Sequence, residues 1–303
     1  MPPTGYLKIL FVINPISGGT DKQDWESDIR NYFQLHPHTI EFFILSGKND
    51  AASILQSIEK TQPDRVVAVG GDGTVTLVAK QIIGKDIAMG ILPAGSANGM
   101  AKELEIPINI NDALDVIVHG EIKNADLINI NNEICLHMSD IGLNAELIKY
   151  FVEGHRRGKW GYLRVLSKVL WKKRVMYVTV KTKDVEIKRK AFVVVLANAS
   201  KSGFGAVVNP VGSLDDGFFE VIIVRRLAIT ELFKMWFRPQ PFNPEKIEII
   251  QATSVSIETL HKVHFQVDGE YLGKVTYINA NILPGKLKLL LPAKEVEIND
   301  KNM

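Results

Sequence analysis

Residues Arg65 to Ile83 read RVVAVGGDGTVTLVAKQII. An apolar, β-branched run passes through three glycines and one aspartate directly into a helical pattern. A buried strand that hands over at once to a helix is half of a crossover unit, and such units build parallel sheets. The same alternation fills the first 120 residues. Leu7 to Ile13 reads as a buried strand; Trp25, Ile29, Tyr32 and Phe33 have helical spacing; Ile40 to Leu45 is a second strand. Ala51 to Ile58 is helical, Arg65 to Val69 a third strand, Val75 to Ile83 helical and Ile87 to Leu92 a fourth strand.

From about Asp126 strand signals dominate: Leu127 to Ile130, Val175 to Lys181, Ala191 to Ala197, Phe218 to Val224, Ile247 to Ile250, Val255 to Glu258, His264 to Val267 and Val275 to Leu283. One helical insertion is expected around Tyr162 to Trp171. The fold class is α/β plus β. A parallel-sheet α/β domain over residues 1–123 precedes an antiparallel β-sandwich-like domain over 124–291, and a tail from about 292 to 303 returns to the first.

The 303 residues are 46% hydrophobic and 23% charged, which suits a globular protein with two cores. A net charge of +2 argues against nucleic acid as the main partner. Cys135 is the single cysteine, so no intrachain disulfide forms, consistent with a reducing cytoplasm. The seven histidines show no zinc-site spacing. The opening MPPTGYLK lacks signal-peptide features, and no apolar run approaches the roughly 18 residues of a membrane span. Membrane contact is therefore expected to be peripheral.

Ligands of open parallel sheets bind beyond the carboxyl ends of the strands. Three glycine-bearing turns fall there: NPISGG from Asn14, GGDGTV from Gly70 and LPAGSANGMA from Leu92. Together they make a surface of backbone N–H groups suited to phosphate. Taken alone, a glycine pair that permits a tight turn and an aspartate that caps a helix explain GGDG as well. No Walker P-loop and no G-x-G-x-x-G after a strand is present.

Taken together, N-P-x-S-G at Asn14 to Gly18, G-G-D-G-T at Gly70 to Thr74 and L-P-x-G-S-A-N at Leu92 to Asn98 resemble the diacylglycerol kinase catalytic family. GLNAEL from Gly142, GKWGYL from Gly158, NPVGSLDDGFFEVIIV from Asn209 and VDGE from Val267 extend the resemblance over most of the chain. The family is related to sphingosine kinases and, distantly, to NAD kinases.

The resemblance implies a lipid kinase with ATP in a cleft between a nucleotide-binding and a lipid-substrate domain, and Mg²⁺ as metal. Asn14, Pro15, Ser17, Gly18, Ser46, Gly70, Gly71, Asp72, Gly73, Thr74, Gly95, Ser96 and Asn98 would meet the nucleotide, with Asp72 acting on its Mg²⁺. Glu270 matches the family's proton acceptor. Asp268 competes with it, since two residues apart on a regular strand both would face one way; a polar D-G hairpin turn is the alternative. A structural Mg²⁺ would be held by the Ser213 carbonyl, Asp216 and the Phe218 carbonyl, against an ordinary Asp-Gly turn.

The chain departs from the family at Thr76 and Leu77, where Asn-Glu is usual, and at Gly99, where Asp is usual. These changes touch nucleotide affinity, metal arrangement and the choice of acceptor. They keep open a sphingoid-type lipid, a soluble metabolite, or a low-activity nucleotide- or lipid-binding protein. Lys149 to Arg174 carries nine Lys or Arg and one acid, Glu153, among aromatics. Either it lies on an anionic membrane surface or its apolar stripe packs on the β domain. Arg225 to Pro239 presents the same choice. The expected partners are a lipid substrate and an anionic membrane surface, without nucleic acid; a homodimer is left open.

Overall fold

The computed structural model describes residues 5–17, 24–143, 145–146, 175–201, 206–228, 230–231, 234–235 and 241–293. The expected helix at Tyr162 to Trp171, the basic stretch Lys149 to Arg174, Gly18 and the tail beyond 293 lie outside these residues; Arg225 to Pro239 is only partly inside them. The chain divides into two units, Met1–Lys123 with Lys288–Met303, and Asn124–Leu287.

In the first unit, β1 (Lys8–Ile13), β2 (Thr39–Ile44), β3 (Arg65–Gly70) and β4 (Ala88–Pro93) form a parallel sheet in the order β4-β3-β1-β2. The end of β14 (Glu270–Leu291) joins it, with Lys288 opposite Ala88 and Leu289 opposite Met89. β3 and β4 are buried at every residue, as expected of parallel strands covered on both faces. β2, at the edge, is only half-buried.

The crossovers are α1 (Trp25–Phe33), α2 (Asp50–Thr61), α3 (Asp72–Ile82), the short α4 (Gly99–Glu103) and α5 (Ile110–His119). α1 starts where Asp24 accepts the Ser27 N–H, and it buries Ile29 and Phe33, four residues apart. α5 starts where Asn109 accepts the N–H groups of Asn111 and Asp112. It sits so close on β4 that a Cβ at Gly90 would lie 2.8 Å from Ile117. Its C-terminal carbonyls at Ile117 and Val118 are met by the buried Arg65 guanidinium.

The second unit is antiparallel. β5 (Glu121–Ile130) pairs with β6 (Glu133–Cys135). β7 (Met138–Gly142) lies between β10 (Val193–Ala197) and β13 (Ser254–Val267), and β11 (Phe219–Val224) and β12 (Ile247–Ala252) continue beyond β10. β8 (Met176–Lys181) bridges β13 to β9 (Glu186–Ala191). Alternation along the strands sends Val178, Val180, Ile257 and Ile278 into one apolar cluster and Val193, Val195 and Ile222 into another. The class is α/β followed by an antiparallel, sandwich-like β domain. Among the described residues no helix is long and apolar enough to cross a membrane.

Candidate active site

Three strand ends of the first unit meet. Asn14 follows β1; its N–H donates to the Val69 carbonyl at 3.0 Å, and its Nδ2 donates to Thr74 Oγ1 at 3.0 Å. Thr74 approaches so closely that a Cβ on Gly70 would lie 2.3 Å from its hydroxyl. Gly70 is therefore glycine for room, since its φ is not positive. Ala94, after β4, donates to the Gly70 carbonyl at 3.0 Å. Next to it, Gly71 and Gly95 touch backbone to backbone: a Cβ on Gly95 would lie 2.4 Å from the Gly71 Cα.

The third loop is closed by Asn98, whose Oδ1 accepts the Gly95 N–H at 2.8 Å and whose Nδ2 donates to the Gly95 carbonyl at 2.9 Å. Asn98 holds φ 50, a left-handed conformation that asparagine tolerates. Asp72 then accepts the N–H groups of Gly99 and Met100, each at 3.0 Å. The aspartate of GGDG thus caps the helix of the next loop rather than its own. Each carboxylate oxygen keeps a second lone pair.

Among the other residues expected at this surface, Pro15, Gly73 and Ser96 are exposed and Ser17 is half-buried. Ser46 takes part in a different arrangement. Its N–H and Oγ both donate to Asp50, at 2.9 Å, and these bonds close the turn into α2; among the described residues they do not reach the other three loops. Thr76 and Leu77 are half-buried within α3.

In the second unit, Asp268 has φ 48 and Gly269 φ 85, with Val267 opposite Glu270. This is a two-residue hairpin with both central residues at positive φ, the form an Asp-Gly pair favours. VDGE is therefore a hairpin turn and not a regular strand, so strand alternation does not give the two acids a shared direction. Asp268 accepts the N–H groups of Leu136, His137 and Met138 at 2.8, 2.9 and 3.1 Å, and the Cys135 thiol at 3.3 Å. Burial, with the Asp268 charge beside it, pushes the Cys135 thiol well up. Glu270 is exposed as the first residue of β14.

The loop from Ser213 to Phe218 is a tight turn with Gly217 at φ 78. Ser213 Oγ donates to Asp215 at 2.6 Å, and the Phe218 N–H to Asp216 at 3.0 Å. Asp216 is exposed. Its carboxylate with two backbone carbonyls makes an all-oxygen donor set, which fits a hard cation such as Mg²⁺. Among the described residues no group of three or more His, Cys, Asp or Glu is arranged for a metal.

Sequence reasoning missed Asp126. Its buried carboxylate accepts the Gly217 and Gly285 N–H groups, both at 2.7 Å, and its own N–H donates to the Leu214 carbonyl at 2.6 Å. It fixes the loop that carries Asp216. The only signal was one acid inside the apolar run ADLINI. Nearby, Glu220 is buried on β11, and burial pushes its carboxyl up while Asn209 and Gln251 donate to it.

Residues 8–130 match the family described as Diacylglycerol kinase catalytic domain, and residues 143–291 match the YegS C-terminal NAD kinase beta sandwich-like domain. A protein of Staphylococcus saprophyticus named "Diacylglycerol kinase" is 27% identical over 221 residues, covering 70% of this chain and 72% of its own. An Escherichia fergusonii protein named "Probable lipid kinase YegS" is 26% identical over 252 residues, covering 81% and 84%. A crystal structure of a diacylglycerol kinase from Bacillus anthracis superposes with a TM-score of 0.74 at 19% identity, covering 95% of this chain and 98% of that one. An NAD kinase from Archaeoglobus fulgidus in complex with ATP shares the fold more distantly, with a TM-score of 0.53 at 11% identity over 95% of each chain. Matched in both halves, the chain belongs to the diacylglycerol kinase catalytic family of ATP-dependent lipid kinases.

Proposed function

We propose that this lipid kinase transfers the γ-phosphoryl group of ATP to the hydroxyl of a diacylglycerol-like lipid, with Glu270 taking the hydroxyl proton. The observation that carries the nucleotide side is the backbone contact of Gly71 with Gly95 beside the Asn14–Thr74 hydrogen bond. Phosphoryl transfer asks chiefly for positioning and charge stabilisation. Backbone N–H groups that approach without side chains, and the hydroxyls of Ser17, Thr74 and Ser96, suit the phosphates. Asp72 serves by holding the third loop in place, and Ser46 stands outside this arrangement.

Among the described residues no backbone N–H engages the exposed Glu270 carboxylate, whereas Asp268 braces the turn. That division supports Glu270 as the base and Asp268 as its support. Asp216, with the Ser213 and Phe218 carbonyls, would hold a structural Mg²⁺. When bound, Mg²⁺ supplies charge neutralisation at the phosphates and a clamp in this loop. The basic stretch Lys149 to Arg174 supports transient docking on an anionic bilayer from the cytoplasmic side.

Leu77 and Gly99 favour one second reading, a binding protein with slow turnover, because each replaces an acid usual at its position. Transfer of label from [γ-³²P]ATP into the organic phase separates the two. Diacylglycerol, a sphingoid base and monoacylglycerol in mixed micelles are the acceptors. Labelled diacylglycerol is expected. Label in the sphingoid base alone would move the acceptor class, and ATP binding without label in any lipid would overturn the kinase proposal.

A further inference from the structure

The hairpin that carries Glu270 has a second brace beneath it. Gln266 Oε1 accepts the Gly269 N–H at 2.7 Å. A backbone N–H only donates, so this contact fixes which way the Gln266 amide points. Its Nε2 then faces Asp140 and donates to Oδ2. Gln266 and Asp140 are directly opposed across β13 and β7, and each is 3% exposed. The Ser139 hydroxyl donates to the Gln266 carbonyl at 2.6 Å, and the Asp268 N–H to the Met138 carbonyl at 2.9 Å. The ladder is thus closed up to the turn itself.

A buried carboxylate is costly to desolvate, and an apolar pair would fill this position without that cost. Val195, directly across β10 from Asp140, shows that apolar packing is available on this face. What the acid–amide pair adds is direction. It fixes one rotamer of Gln266, and that rotamer fixes the Gly269 N–H, one residue before Glu270.

We infer that Asp140 and Gln266 are positioning residues: they hold the Asp268–Gly269 turn in one conformation so that Glu270 presents its carboxylate to the acceptor hydroxyl. This rests on Glu270 acting as the base. Both are buried beneath the turn, so they act through Glu270. Their effect belongs in the rate of the chemical step and not in ATP binding.

The test is steady-state kinetics of the full chain with ATP and dioctanoylglycerol in mixed micelles, with melting curves alongside. Gln266→Glu keeps the acceptor for Gly269 but sets a carboxylate against Asp140. A loss in kcat of roughly 10- to 100-fold with KM for ATP unchanged is expected. Activity should recover partly at lower pH, where the two carboxylates share a proton. Gln266→Glu combined with Asp140→Asn exchanges donor and acceptor and should return kcat close to wild type. Gln266→Leu, which removes both hydrogen bonds without adding charge, should show the same kcat loss even if Gln266→Glu folds poorly. Wild-type kcat in Gln266→Leu, or a double variant that regains its melting temperature without regaining kcat, would overturn the inference while leaving an inactive Glu270→Gln to support the base. Wild-type turnover by Glu270→Gln would remove the base and the inference together.

Discussion

Gly95 has no room for a methyl group. Its Cβ would lie 2.4 Å from the Gly71 Cα and 2.8 Å from Asn98 Oδ1, and backbone cannot swing aside as a flexible side chain does. Gly73, two residues into the same surface, has nothing within 4 Å of its Cβ position and sits exposed in the first turn of α3. The two glycines should therefore respond oppositely to alanine. Gly95→Ala should lose about 1–3 kcal/mol of stability through overpacking, and with it the rise in melting temperature that ATP gives. Gly73→Ala should melt at or above wild type, since alanine is favoured over glycine in a helix by up to about 1 kcal/mol. Melting curves with and without ATP decide this; a Gly95→Ala chain that keeps its ATP shift would show that the two loops need not touch. Asp72 shows what a sequence leaves hidden at this scale. GGDG suggested a metal-facing acid or a cap for its own helix, and the carboxylate instead closes on Gly99 and Met100, a contact that only the folded chain creates.

At the scale of elements, α5 depends on one side chain at its start. Asn109 accepts from Asn111 at 2.9 Å and Asp112 at 3.3 Å, and α5 buries Ala113, Leu114, Ile117 and Val118 against the sheet. Asn109→Ala should cost about 1 kcal/mol, read as a lower denaturant midpoint at unchanged m-value. An unchanged midpoint would mean that packing alone sets this helix. The parallel strands were legible because burial on both faces leaves continuous apolar runs such as FVI and VVAV. β9, EIKRKA, was not, since its charges mask the alternation of an outer strand. β7, MSDIG, has too few β-formers to register alone and owes its place to β10 and β13. β13 read as two strands because the register shifts between Glu258 and Val263. The D-G turn before Glu270 was readable as one of two alternatives; that Asp268 would be taken up by the Cys135–Met138 segment, over 130 residues away, was not.

For the whole molecule, pH acts on the two units through different groups. In the first, His38 lies beside His36, Arg65 and His119, and its Nδ1 accepts the Leu7 N–H. Burial, then these like charges, lowers its pKa. The unfolded chain therefore binds the proton first as pH falls below about 6.5, and stability declines from there until the lowered folded value is passed. In the second, burial works to raise the Glu231 carboxyl, but Lys234, the Asn243 N–H and Lys246 outweigh it and hold it at about 2. That contribution is present above the ordinary glutamate value and is lost only as pH falls toward 2. Melting temperature should thus drop between pH 7 and 5, and His38→Asn, which keeps an acceptor for Leu7, should flatten that drop. An equal slope in the variant would move the sensitivity elsewhere. The reaction proposed for the whole chain is phosphorylation of a lipid hydroxyl with Glu270 as its base. Its most direct test is ADP release from ATP and Mg²⁺ with diacylglycerol micelles, wild type beside Glu270→Gln. Lipid-dependent turnover should fall by roughly 10²- to 10⁴-fold in the variant while ATP still binds; equal turnover in both would remove Glu270 as the base, and ATP bound with no lipid-dependent ADP in either would remove the reaction.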